Sequence, residues 1–222
     1  MTQQETIWGW FYFICQLLVL PTALSLVNTY LPRPMSASEL NFTLYLLNFL
    51  AVLWIFHSYL GKNLSQMQQH PAYFCQAVIL GFVAYWACSR CINWSVGIFV
   101  PGFTNANDAS IAALARSGYY LTAVGTVVLV PLAEECFYRG LIFRGLYKQS
   151  PLAAYILSIA VFAAVHIAGY IRSYTLVELL ICFLQYLPAG LCLAWAYAKA
   201  DTIFAPVFIH AAINAMAVYR LY

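Results

Sequence analysis

The chain holds four histidines and seven acidic residues in 222 positions, and only a few of them lie inside strongly apolar segments. An ionisable side chain carried into a bilayer costs at least ~2.5–3.5 kcal/mol on insertion scales, so each such residue is a candidate for function. The densest group is Glu134-Glu135-Cys-Phe-Tyr-Arg139. Glu135 and Arg139 stand four apart, on one helical face, where they can pair. Glu134 is turned about 100° from its neighbour; no local cation is left for it, and it can point into a cavity. His166 follows Phe162 by four residues in an otherwise apolar run, with Ala160, Ala164 and Ala168 forming a small-residue face that lets another helix approach. His210 and Asn214 again stand four apart, next to Ala211 and Ala215, and Asn214 can donate and accept hydrogen bonds. The chemistry open to this set is acid–base: a carboxylate and an imidazole can share a water and move its proton. Each also has a blander reading: a buried ion pair for Glu135 and Arg139, a satisfied packing residue for His166, and polar glue between helices for His210 and Asn214. His57 and His70 sit at a helix end and in a polar link and read as interface or loop residues.

Two apolar helices joined by a turn at Gln149-Ser150-Pro151 would position the first two elements. Glu134 lies about 15 residues before that turn and His166 about 15 after it. Antiparallel arms of equal length bring both to one depth, ~22 Å from the turn at 1.5 Å per residue.

Composition places these helices in lipid. Hydrophobic residues make up 64% and charged residues 8%, against about 25% charged in a soluble domain, and mean hydropathy is +0.79. The net charge of +3 is too small and too scattered for a nucleic-acid partner. The aromatics, 17 Tyr, 15 Phe and 6 Trp, suit membrane interfaces where they flank apolar runs. Seven cysteines sit mostly inside those runs and read as small apolar residues; Cys88 and Cys91 have no second pair or nearby His to complete a zinc site. The N-terminus lacks the basic start of a signal peptide.

The expected fold is all-α, a polytopic bundle of about seven spanning helices at roughly 7–31, 40–60, 72–92, 118–139, 152–170, 175–198 and 202–220. Pro21 should kink the first, the fourth continues toward Lys148, and Lys62 to Pro71 reads as a polar link. The 93–117 stretch reads as a long connection, re-entrant or interfacial. Positive charges divide evenly between the two sides, with the 139–148 cluster weakly favouring a cytoplasmic loop. The whole chain, 1–222, is read as one integral membrane domain, with motif-free helices over 1–117 and the chemistry over 118–220. No repeat or low-complexity tract interrupts it.

Three short motifs in this order resemble the CAAX prenyl endopeptidase and bacteriocin-processing (CPBP, or Abi) family, whose pattern is EExxxR, FxxxH and HxxxN on successive core helices. Here they are E-E-C-F-Y-R at 134–139, F-A-A-V-H at 162–166 and H-A-A-I-N at 210–214. The resemblance spans roughly 118–218; the preceding helices share only hydropathy with it. It implies an intramembrane endopeptidase acting on a peptide or membrane-protein substrate in the bilayer of a multi-pass protein, expected in the plasma (inner) membrane of a prokaryote. Glu134 and His166 would activate water, His210 and Asn214 would steady the oxyanion, and Glu135, Arg139 and Phe162 would support the site. No metal is expected to be obligatory; a divalent ion such as zinc on Glu134, His166 and His210 is left open. Two readings of other classes stand beside this one: a bacteriocin-immunity or partner-binding protein that does not cut, and a proton-coupled transporter.

Overall fold

The computed structural model describes residues 1–221. Helix starts follow local chemistry. Thr2 with Glu5, Ser36 with Glu39 and Thr175 with Glu178 form reciprocal capping boxes, in which side chains satisfy the backbone donors a helix leaves bare. These open α1 (Gln3–Leu18), α3 (Ala37–Ile55) and α8 (Leu176–Ala200). The other helices are α2 (Leu20–Thr29), α4 (His57–Gln69), α5 (Pro71–Phe99), α6 (Ala106–Tyr147), α7 (Pro151–Ala168) and α9 (Phe204–Tyr219). Among the described residues there is no strand. The protein is an all-α bundle of a multi-pass membrane type. Five helices (α3, α5, α6, α7 and α8) are long and apolar enough to cross a bilayer, and α1 with α2 makes a sixth if the bent pair is one span.

The seven expected spans are therefore unequal. The first breaks at Val19, where the α1 and α2 axes differ by 46°. Pro21 sits at the start of α2, where its missing N–H costs least. The last, α9, has only 16 residues, short of the ~20 that span hydrocarbon. The polar link is itself a helix. α4 buries Tyr59, Leu60 and Asn63, and Asn63 ties it to the α8–α9 turn by accepting from the Ile203 N–H (2.7 Å) through its side chain and from the Thr202 hydroxyl (2.8 Å) through its carbonyl. That partner, 139 residues away in sequence, is what a local reading of 62–71 lacks. The long 93–117 connection shrinks as well: α5 runs to Phe99 and α6 starts at Ala106, capped by Asn105.

α6 is the central element, packed against α3, α7 and α9, while α5 packs on α8 and α9. It bends at Gly118, where an added Cβ would meet the Ser38 side chain of α3. It also widens twice into π-helical turns, over Gly125–Leu129 and Cys136–Phe143. Such turns shift the register of everything after them and recur at functional sites. The turn between α6 and α7 falls at 148–150, with Ser150 capping α7, so the hairpin is the one expected.

Candidate active site

The second π-helical turn carries Arg139 and follows directly on Glu134 and Glu135. Glu135 is fully buried, and its Oε1 accepts from Arg139 Nη1 at 2.9 Å and from His210 Nδ1 at 2.8 Å. Arg139, also fully buried, spends a second N–H on the Gly190 carbonyl of α8 (3.1 Å) and lays its guanidinium 4.8 Å from the Phe162 ring centre. Gly190 packs tightly on α7: a Cβ there would lie 3.3 Å from the Ile159 Cα. Arg139 thus braces three helices as well as one carboxylate.

Glu134 faces the other way, as its rotation about the helix predicts. Its Oε2 lies 3.7 Å from His166 Nε2 and 4.0 Å from His210 Nε2, and has no hydrogen-bond partner of its own. Both imidazoles are oriented from behind. His166 Nδ1–H donates to the Phe162 carbonyl at 2.7 Å; a carbonyl only accepts, so the proton is on Nδ1 and the Nε2 lone pair faces Glu134. The ring lies between Phe162 and Tyr186, with centroids at 4.4 and 4.5 Å. His210 gives its Nδ1–H to Glu135 and likewise turns Nε2 toward Glu134. A ring nitrogen held by carboxylate or carbonyl, leaving the other nitrogen aimed inward, is the arrangement that presents imidazole to a water or a metal.

These groups line a cavity of about 1030 Å³ between α5, α6, α7, α8 and α9, with Tyr45 of α3 also on its wall. The expected residues Glu134, Phe162, His166, His210 and Asn214 all reach it, and Glu135 and Arg139 lie buried behind. Asn214 is placed differently from a freely pointing donor: its Nδ2 gives one hydrogen bond to the Thr126 carbonyl at 2.8 Å. The cause is Pro131. In the wide turn a carbonyl is met by the N–H five residues on, as Gly125 is by Val130. Pro131 has no N–H for Thr126, and Asn214 supplies it.

The same atoms could also be considered as ligands to a metal ion. Around a tetrahedral ion with ~2.0–2.1 Å bonds, donor atoms stand ~3.3 Å apart. The pairs to Glu134 are at 3.7 and 4.0 Å, and among the described residues no three His, Cys, Asp or Glu side chains are grouped to hold a metal ion. The donor types suit a metal, and the two pairs to Glu134 would have to draw closer to ligate one.

Sequence reasoning did not single out Tyr45, Thr126 or Tyr186. Tyr45 comes from the motif-free part of the chain and reaches the cavity wall where Gly125 has no side chain: a Cβ there would sit 2.8 Å from the Tyr45 ring. No local pattern distinguishes it from the 16 other tyrosines.

Residues 116–216 match a protein-family model described as "Type II CAAX prenyl endopeptidase Rce1-like". No curated protein and no solved structure matches the chain.

Proposed function

We infer from the match over residues 116–216 that the chain is a CAAX-type membrane endopeptidase of the CPBP family, and on that premise we propose that it hydrolyses a peptide bond at or within the membrane with water activated by Glu134 and His166. The observation that carries this reading is the unpartnered Glu134 Oε2 between two inward-facing imidazole nitrogens at 3.7 and 4.0 Å. A buried acceptor without a donor is costly, and a water giving one O–H to Glu134 and the other to His166 Nε2 removes that cost.

The following step fits that geometry. The water oxygen attacks the carbonyl carbon of the peptide as its proton passes to Glu134. His210, when its ring carries both protons, gives Nδ1–H to Glu135 and Nε2–H to the oxyanion; with Glu134 and Glu135 ionised and Arg139 charged, that form leaves the site neutral. The second N–H of Asn214 is a further donor. Donors aimed at a developing oxyanion contribute several kcal/mol to such reactions. Glu134 then returns its proton to the leaving nitrogen, the C–N bond breaks, and the second proton of the former water passes to the His166 Nε2 lone pair, so that a carboxylate and an amine are released. A metal held by Glu134, His166 and His210 would supply Lewis-acid polarisation, but the side chains would first have to draw together.

The substrate is a peptide or a membrane-protein segment, and the prokaryotic plasma membrane is the setting read from the family's bacteriocin-processing side. The experiment is cleavage of an internally quenched, farnesylated CAAX peptide by the purified protein in lipid vesicles, with and without 1,10-phenanthroline. Turnover that survives the chelator is expected. Turnover that stops with the chelator and returns with zinc would show that a metal, and not Glu134 with His166 alone, activates the water.

A further inference from the structure

Threonines within helices normally return their hydroxyl to the carbonyl one turn back. This chain does so repeatedly: Thr6 to Thr2, Thr22 to Leu18, Thr43 to Glu39 and Thr122 to Gly118, at 2.8–3.3 Å. Thr126 does not. Its side chain is 8% exposed, its Oγ1 is buried without any hydrogen-bond partner, and it lines the same cavity as Glu134 and the two histidines. It stands in the first wide turn of α6, one position after Gly125, and its own carbonyl is already taken by Asn214.

A buried hydroxyl left without a partner on a cavity wall is costly, and a bound group that pairs with it would remove that cost. An extended peptide entering a cavity at membrane depth brings bare N–H and C=O groups, each costing several kcal/mol if left unpaired. The wall must supply partners. Asn105 donates to Gln185 and Gln185 donates to Asn93, while Asn214 gives one N–H to the Thr126 carbonyl and keeps the other. The geometry points to Thr126 as a substrate-positioning residue whose hydroxyl pairs with a backbone group of the bound peptide, beside the bond that is cut. This assignment rests on the proteolytic reading above.

Thr126→Val removes the hydroxyl and keeps the shape; Thr126→Ser keeps the hydroxyl. Thr122→Val, one turn away and outside the cavity, is the control. The measurements are the thermal midpoint of each unliganded protein and KM and kcat on the farnesylated CAAX peptide in vesicles. Thr126→Val should be at least as stable as the wild type, because it loses an unsatisfied polar group, while its KM rises about three- to tenfold, the worth of one neutral hydrogen bond. Thr126→Ser should restore KM, and Thr122→Val should leave it unchanged. A lower midpoint for Thr126→Val, or an unchanged KM in a protein that cleaves, overturns the assignment of Thr126 alone. A wild type that never cleaves overturns the proteolytic reading, and this assignment falls with it.

Discussion

One oxygen of Glu135 accepts both the Arg139 guanidinium and the His210 ring, so the ion pair behind the site also fixes the orientation of a residue in front of it. Removing the cation strands a buried carboxylate, which costs about 3–5 kcal/mol. Arg139 in addition holds the Gly190 carbonyl and covers Phe162. Arg139→Ala should therefore lose yield and thermal midpoint before it loses intrinsic chemistry. If the purified variant melts like the wild type and is inert, Arg139 belongs to the reaction rather than to its frame. Much of this arrangement was legible from spacing. Residues four apart share a helical face, and one step of 100° separates Glu134 from Glu135, so the division between a braced and a cavity-facing carboxylate could be read before any coordinates. The Nδ1 partner of His210 could not be read, because Glu135 is 75 residues away in sequence.

At the scale of the element, α6 does what an unbroken α-helix could not. Its wide turns flank Glu134, and they leave carbonyls that other helices must satisfy: Asn214 serves Thr126, and the Ser158 hydroxyl serves Tyr138 at 3.1 Å. Sequence periodicity is blind to such turns, because adding one residue to a turn leaves an apolar run apolar. In a sequence Pro131 signals no more than a kink; its consequence, a carbonyl without a donor, appears once the register is known. Asn214→Ala should cost about 1–3 kcal/mol of stability by orphaning that carbonyl. Pro131→Ala in the same chain should recover part of the loss, since it returns an N–H to the position. Thermal midpoints of the two single variants and the double variant decide this. Strict additivity, with no recovery, would mean that Asn214 and Pro131 do not act on the same group.

At the scale of the molecule, buried carboxylates join elements far apart in the chain, as Glu135 joins α6 to α9. The N-terminal helices are tied to the core in this way. Glu5, 3% exposed, accepts the Tyr59 N–H at the start of α4 at 2.7 Å, while Phe13 packs on Phe137 of α6. Glu5→Leu should lower the thermal midpoint by leaving that N–H unpaired, and kcat on the intact fraction should hold; a kcat that falls with an unchanged midpoint would place Glu5 in the chemistry instead. The central claim, water activated by Glu134, concerns the whole protein in its bilayer, where the cavity and the helices around it are complete. Gln keeps the size and shape of Glu but cannot take a proton, and a lost general base costs about 10²–10⁴ in rate. Peptide cleavage in vesicles by wild type, Glu134→Gln, His166→Ala and the double variant is the direct measurement. Folded proteins, cleavage by the wild type, loss of at least about a hundredfold in each single variant, and a double variant little worse than either are expected, because the two residues act on one water. Cleavage by folded Glu134→Gln at the wild-type rate would contradict that claim.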